Sequence, residues 1–381
     1  MHICFITHEY PKSGFPHGGV GTFIKSLAQS LVKSGNRVSV VGINYSRQEE
    51  VYNEEGVFIY RIGNRELKGL TWVLNSNRIN KKLQDIHNNN KIDIVECTEL
   101  GLAFIKKLKG IKYIIRLNGG HHFFSVSEQR GIDKWKGFQE KRSFYKADKV
   151  LGVSEYVINH TAKYIDFSHK RGPVVYNPAN FSNFYEANPD KKVAGRIFFA
   201  GTVCEKKGIR QLIQAMPLIK KQIRHAHLLI AGRDSKMTDG SSYTEYVSKF
   251  IDPSVSEAIT FLGPVANDKI PELIEEAEVC VYPSHMEAMP LAWIEVMSMG
   301  KAFIGSNLGP GPEVISHGIT GLMCNPLDPL DIAAMTIEIL NNKTFGEMLG
   351  RNARADMLNR FGTDKIIRQN LDFYESVIQN R

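Results

Sequence analysis

One order of elements occurs twice in this chain. Near the N-terminus, the apolar run Ile3 to Thr7 is followed by a Gly/Pro loop, Pro11 to Gly21, and then by Phe23, Ile24, Leu27 and Leu31 at helical spacing. Gly35 stands where a left-handed helix C-cap is favoured, and a second strand-like run, Val38 to Val41, follows. After Gly195 the order returns: Arg196 to Ala200 as strand, Gly201 to Lys207 as loop, a helix from Gly208 with Ile209, Leu212, Ile213, Met216 and Ile219 on one face, and the strand His227 to Ala231. Strands alternating with helices build a parallel sheet covered on both faces, and the restart predicts a second such sheet, hence two Rossmann-like domains. Ile92 to Glu96, Tyr113 to Leu117, Val150 to Val153, Val279 to Tyr282 and Ala302 to Gly305 supply further strands. At 381 residues the chain is long enough for two domains. The polar stretch Asn188 to Lys192 is the expected linker, which ends the first domain at residue 188 and starts the second at 189.

With 43% hydrophobic and 23% charged residues the chain can bury two cores, which excludes a disordered, collagen-like or coiled-coil protein. No run approaches the roughly 18 apolar residues of a membrane-spanning helix. The N-terminal run turns polar at Thr7, too early for a signal-peptide core, so a cytoplasmic location is expected. The 5 cysteines are far apart, and Cys4 and Cys280 sit in apolar runs as reduced core residues do. No CxxC or Cys/His cluster marks a metal site.

The net charge of +8 is confined to one segment. Between residues 101 and 150 lie Lys106, Lys107, Lys109, Lys112, Arg116, Arg130, Lys134, Lys136, Lys141, Arg142, Lys146 and Lys149, against Glu128, Asp133, Glu140 and Asp148; the rest of the chain is neutral. Phe123, Phe124, Trp135, Phe138, Phe144 and Tyr145 are interleaved with them. Such a segment can hold an anionic membrane surface, a nucleic-acid backbone or a phosphorylated substrate, and it can equally be a solvated lysine-rich face.

In doubly wound sheets ligands bind outside the carboxyl ends of the strands, so the loops there carry the chemistry. The first, Pro16-His17-Gly18-Gly19-Val20-Gly21-Thr22, opens into a helix whose N–H groups suit an anion. It lacks the third glycine of a dinucleotide fingerprint, and no acidic residue follows at the required distance, so a plain tight turn fits as well. In the second half, Gly201-Thr202-Val203-Cys204-Glu205-Lys206-Lys207-Gly208 places a lysine beside a helix start, as a diphosphate cradle does and as an exposed basic turn also does. It is not a Walker loop, because no GKS or GKT follows.

The segment Tyr282-Pro283-Ser284-His285-Met286-Glu287-Ala288-Met289-Pro290-Leu291-Ala292-Trp293-Ile294-Glu295 says most. A strand ends at Pro283, a loop carries Glu287, and Pro290 suits the first turn of a helix that is apolar apart from Glu295. A carboxylate in such a helix is costly without donors to it, and sugar or ribose hydroxyls are such donors. Glu287 and Glu295 read as two carboxylates gripping one polyhydroxylated ligand, against a structural glutamate and a surface one.

At these residues the chain resembles the retaining glycosyltransferases of family four, which have the GT-B fold. The resemblance spans nearly the whole length: Gly18-Gly19, Ala147-Asp148-Lys149-Val150 leading to Val153-Ser154, Tyr176-Asn177-Pro178, the loop 201–208, Phe261-Leu262-Gly263, Glu287-x7-Glu295, Pro312-Glu313 and Gly318-x-x-Gly321. It implies two Rossmann-like domains facing a central cleft, with the helix Lys365 to Asn380 returning to the first domain. The expected domains are then 1–188 plus 363–381, for the acceptor, and 189–362, for the donor.

The resemblance also implies a reaction: a hexosyl unit passes from a UDP- or GDP-linked sugar to a glycan or lipid-linked acceptor, with retention and without a metal ion or other cofactor. Glu295 would hold the ribose hydroxyls, Glu287 with Ala288, Met289 and Pro290 the donor sugar, and Lys207 with the Gly18 and Gly19 amides the diphosphate. The base would lie against the backbone near Gly263 and Pro264. Many relatives carry arginine where this chain has Thr202, and histidine where it has Asn118, with His121 and His122 just beyond. Asn118 by position, or His121 by chemistry, takes that histidine's place. The basic 101–150 segment then favours an anionic membrane surface, peripheral on the inner face, over nucleic acid. A non-catalytic nucleotide-sugar-binding protein, a nucleotide-sugar epimerase and a glycan phosphorylase are the alternatives; for the last, nothing marks a Schiff-base lysine.

Overall fold

The apolar runs become the centres of two separate sheets. The computed structural model describes residues 1–15, 18–127, 131–178 and 183–379; Pro16, His17, Glu128, Arg130 and Asn380, named above, lie outside these. The first unit is Met1–Pro178 with Thr363–Arg381, and the second is Ala179–Gly362. The division falls at Pro178, earlier than the expected Asn188, because the residues at the expected boundary are bonded to the second unit. The Ala187 N–H donates to the Met299 carbonyl (3.0 Å) and the Asn188 N–H to Glu275 Oε1 (2.9 Å).

The first unit has β1 (His2–Ile6), β2 (Arg37–Ile43), β3 (Glu50–Glu54), β4 (Val57–Ile62), β5 (Ile94–Cys97), β6 (Lys112–Leu117), β7 (Lys149–Gly152) and β8 (Arg171–Val174). They form one sheet in the order β3-β4-β2-β1-β5-β6-β7-β8. β1 and β5 are buried along their whole length, as strands covered on both faces must be. The sheet is not wholly parallel as expected: β3 runs antiparallel to β4 through a turn at Glu55 and Gly56, both in the left-handed region (φ 49° and 86°). As an edge strand with exposed Val51, β3 carries no apolar run for periodicity to find. The helices of this unit are α1 (Gly19–Lys33), α2 (Thr71–Asn89), α3 (His121–Ser127), α4 (Lys134–Lys146) and α5 (Glu155–Ala162). Gly35 does take the left-handed conformation after α1 (φ 81°).

The second unit has β9 (Arg196–Ala200), β10 (His227–Ala231), β11 (Ile259–Gly263), β12 (Val279–Tyr282), β13 (Phe303–Ser306) and β14 (Leu322–Cys324), all parallel, in the order β11-β10-β9-β12-β13-β14. Its helices are α6 (Ile209–Gln222), α7 (Tyr243–Ser248), α8 (Ile270–Glu276), α9 (Leu291–Ser298), α10 (Gly311–Val314), α11 (Pro329–Asn341) and α12 (Lys343–Phe361). The final helix, α13 (Thr363–Gln379), belongs to the first unit.

A buried ion pair fastens α13 there. Arg116 on β6 donates from Nε to Glu96 Oε1 on β5 (2.7 Å) and from Nη2 to Asn370 Oδ1 on α13 (2.5 Å). The Tyr374 hydroxyl of α13 donates to Glu96 Oε2 (2.7 Å), and the Phe23 ring of α1 lies 5.1 Å from the guanidinium.

Arg116 is therefore internal, a correction to its place in the basic surface segment. Phe123 and Phe144 are buried as well. What remains exposed is an aromatic layer in which Trp72 of α2 meets Phe104 at 4.3 Å between ring centroids, and Phe104 and Phe138 each lie 5.7 Å from Trp135 of α4. Trp135 and Phe138 are 45% and 50% exposed, and lysines 134, 136 and 141 share their helix. Among the described residues no helix is long and apolar enough to cross a membrane.

Removing one partner of a buried ion pair leaves the other charge uncompensated, at a typical cost of about 3–5 kcal/mol. Glu96→Ala should destabilise the first unit by about that much, lowering its denaturant midpoint, and should speed hydrogen exchange across residues 363–379. Unchanged exchange there would show that the helix is held by its apolar face alone.

Candidate functional site

In the second unit the strand order reverses between β9 and β12, which places the crevice at the loops that follow these two strands. After β9 the chain runs through Gly201 and Thr202 into a 3₁₀ turn, Glu205–Lys207, and only then, past Gly208, into α6. Lys207 thus sits on the turn before the helix rather than on its first turn. Gly208 is left-handed (φ 71°), and a Cβ there would lie 1.9 Å from the Pro283 carbonyl oxygen. No other residue permits this crossing of the two loops. The crossing is extended by the His285 N–H, which donates to the Lys206 carbonyl (2.8 Å).

Glu205 braces the turn, accepting from Arg210 Nη2 (2.6 Å), Gln211 Nε2 (3.2 Å) and the Tyr243 hydroxyl (2.7 Å). Burial disfavours its charge, but these donors outweigh burial and hold the carboxyl at about 2.

The crossing brings Lys207 and Glu287 together: Lys207 Nζ and Glu287 Oε1 form an ion pair, with both side chains partly reached by solvent. Ala288 and Met289 are buried beside it. Pro290 proves to be the N-cap of α9 (φ −84°, ψ 98°), one position before the first turn in which it was expected.

Glu295 lies in the middle of α9 between buried Ile294 and Val296. Among the described residues no group donates to its carboxylate, and burial pushes its pKa up to about 7. At the far edge of the same sheet end, Gly263 closes β11 in the left-handed region (φ 68°), its carbonyl accepts from the Gly232 N–H (2.8 Å), and Pro264 beyond it is exposed.

The remaining candidates belong to the first unit. Gly18 is the N-cap of α1 and Gly19 its first residue. The loop approaches so closely at Gly21 that a Cβ would stand 2.0 Å from the Glu9 carbonyl oxygen. Asn118 follows β6, its N–H donating to Glu99 Oε1 (2.6 Å) and its Nδ2 to the Arg116 carbonyl (3.2 Å). His121 opens α3 with both ring nitrogens engaged: the Asp133 N–H donates to Nε2 (2.9 Å), and Nδ1 pairs with Ser125 Oγ (3.2 Å). His122 is buried and paired through Nδ1 with Glu140.

Sequence reasoning missed Glu99, which is buried under the Asn118 loop. Burial, with the charge of nearby Glu140 adding to it, pushes the Glu99 carboxyl up to about 8. A glutamate just past a buried strand, Ile94 to Cys97, was the available signal.

The second unit thus has the six-stranded 3-2-1-4-5-6 order of a Rossmann sheet, with a lysine and two glutamates at its carboxyl end, where such sheets bind ligands. Comparison with known proteins makes the class specific. Residues 17–183 match the family profile described as Glycosyltransferase Family 4, and residues 194–342 the one described as Glycosyl transferases group 1. An uncharacterized glycosyltransferase of Methanocaldococcus jannaschii is 27% identical, the match covering 100% of this chain and 99% of that one. Sucrose-phosphate synthase from Thermosynechococcus elongatus has the same fold over 100% of both chains (TM-score 0.84, 19% identity). So does Anabaena HepE, solved in complex with UDP and glucose, over 99% of this chain and 100% of that one (TM-score 0.77, 17% identity). The chain belongs to the family-four-like glycosyltransferases of the GT-B fold.

Glu295 makes a stability prediction whose sign is fixed. Its folded pKa of about 7 lies above the ordinary 4.5, so between these values the folded state binds the extra proton and stability falls as pH rises. Glu295→Gln removes that dependence. The ligand-free variant should melt higher than the parent at pH 8 and with a smaller gap at pH 5. A variant that melts lower at pH 8 would mean that the carboxylate has a partner in solution.

Proposed function

We propose that this chain transfers a hexosyl unit from a UDP- or GDP-linked sugar to a glycan or lipid-linked acceptor, with retention of anomeric configuration and without a metal ion. The observation that carries the reading is Glu295: a carboxylate embedded in an apolar helix at the carboxyl end of a parallel sheet, with no donor to it among the described residues. A ribose diol supplies two such donors and favours the ionised form. The solved complex of the similar HepE with UDP and glucose supports a nucleotide-sugar donor.

In this reading the bond between the anomeric carbon and the diphosphate oxygen breaks, and its electron pair leaves with the diphosphate. The acceptor hydroxyl oxygen forms the new bond, and its proton passes to a diphosphate oxygen. Negative charge grows on the leaving group, where Lys207 neutralises it. Lys207 is paired with Glu287 in the ligand-free chain, so the donor sugar's hydroxyls replace the lysine on Glu287 as the diphosphate takes the lysine. Backbone at Ala288, Met289 and Pro290 lines the sugar, and Gly263 and Pro264 face the base. Asn118 takes the sugar-binding place in the first unit, because His121 is engaged at both ring nitrogens while, among the described residues, the Asn118 side chain bonds to the Arg116 carbonyl alone.

The exposed Trp72, Trp135 and Phe138, packed around half-buried Phe104 and accompanied by lysines, support a lipid-linked acceptor met at an anionic membrane surface. Tryptophan favours the headgroup region, and each nearby lysine adds about 1 kcal/mol of attraction to anionic lipid.

Labelled UDP- and GDP-sugars with a lipid-linked acceptor pool should give a retained product at a rate unaffected by a chelator. Neither transfer nor donor hydrolysis across the set would overturn the reading. Glu295→Ala should abolish nucleotide-sugar binding by calorimetry. Vesicles containing anionic lipid should retain the protein and release it in salt, whereas equal retention on charge-neutral vesicles would assign the basic segment another use.

A further inference from the structure

We infer that Arg233 is a diphosphate-binding residue, the cation through which the loop after β10 completes the cradle begun by Lys207. The inference rests on the donor reading above and deepens it. A nucleoside diphosphate carries more negative charge than one lysine balances, and Lys207 is itself already paired with Glu287. Position 202, at the tip of the same loop, is a neutral threonine.

Arg233 follows β10, the strand next to β9, and its loop is zipped to the diphosphate loop by backbone. The Val203 N–H donates to the Arg233 carbonyl (2.9 Å), the Gly201 N–H to the Ala231 carbonyl (2.9 Å), and the Ser235 N–H and hydroxyl to the Val203 carbonyl (3.2 and 2.9 Å). The approach is closest at Gly232, where a Cβ would lie 1.7 Å from the Gly201 carbonyl oxygen. Arg233 is therefore fixed beside Thr202 by a crossing that only glycine allows.

The carboxylates of these loops are otherwise matched. Asp234 accepts from the Thr244 N–H and hydroxyl (both 2.8 Å), Glu205 from Arg210, and Glu287 from Lys207. Among the described residues the Arg233 side chain has no hydrogen bond, ion pair or ring contact, and the residue is exposed. Among the described residues, the buried Glu295 carboxylate after β12 and the exposed Arg233 guanidinium after β10 are charged groups of opposite sign that both lack a hydrogen-bonding partner.

Val203 and Asp234 pair as in a parallel bridge, so Arg233 adjoins the loop that carries Thr202 and Lys207. A planar guanidinium there can meet the oxygens of a diphosphate held by Lys207 with two parallel N–H groups.

Calorimetric titration with UDP and GDP, and with uridine and guanosine as phosphate-free controls, tests the assignment. Arg233→Ala should weaken UDP and GDP by about tenfold or more while changing the nucleosides by less than about twofold, with Arg233→Lys between. Adding Thr202→Arg to Arg233→Ala should recover most of the lost affinity, because the two positions adjoin. An unchanged ligand-free melting temperature would show that the alanine variant folds as the parent does. Equal diphosphate affinity of parent and Arg233→Ala, or parallel loss of nucleoside and diphosphate binding, would overturn the role of Arg233 alone. A parent that binds neither UDP nor GDP would overturn the donor reading and this inference together.

Discussion

Lys207 stands against Glu287 because Gly208 lets two loops cross at contact distance. With a Cβ forbidden 1.9 Å from the Pro283 carbonyl, the turn after β9 can lie on the turn after β12 only if residue 208 is glycine in a left-handed conformation. The rest of the second unit's candidate site follows from that crossing. Glu205 holds the turn from one side through Arg210, Gln211 and Tyr243, and the Lys206 carbonyl receives His285 from the other. A second glycine crossing, Gly232 over Gly201, ties in the next loop outward. The loops are positioned by backbone, which leaves their charged side chains free to differ in how fully they are matched.

That difference in matching is the physical signature of the site. Glu205 is over-supplied with donors and stays ionised down to about 2, as a structural carboxylate does. Glu295, in the same unit, has none among the described residues and is pushed by burial to about 7. Leaving a carboxylate unmatched in an apolar helix costs stability at neutral pH, and such a cost persists where a ligand removes it. The Lys207–Glu287 pair lies between these extremes: it is satisfied without ligand, yet both groups remain partly exposed and can exchange partners.

The first unit applies the opposite rule. Arg116, Glu96, Asn370 and Tyr374 are matched to one another and sealed, so their task is to hold the chain's last helix on the sheet. Glu99 is buried like them but receives the N–H of Asn118, which makes it a support for a candidate site residue rather than for a helix. Its raised pKa, about 8, means that the loop rests on a carboxyl that is largely neutral at pH 7 and loses that proton only in mild alkali.

What could be read from the sequence follows from how local each determinant is. Strands buried on both faces announce themselves as apolar runs, so Arg196–Ala200, His227–Ala231 and Val279–Tyr282 are found residue for residue. The half-exposed edge strand β3 leaves no such run and is missed. Glu287 and Glu295 were legible because one helix and its entry loop carry both, and the apolar neighbours of Glu295 make a lone carboxylate conspicuous. Arg116 was misread as surface charge because its partners, Glu96, Asn370 and Tyr374, come from distant parts of the chain, and composition counts charges without locating them. Arg233 was invisible for a related reason. Its relevance arises from Gly232 meeting Gly201, a contact between neighbouring strand ends that periodicity does not encode. Binding residues held by backbone crossings rather than by motif spacing are therefore the class that a sequence conceals, and here the glycines at 201, 208 and 232 mark where to look for them.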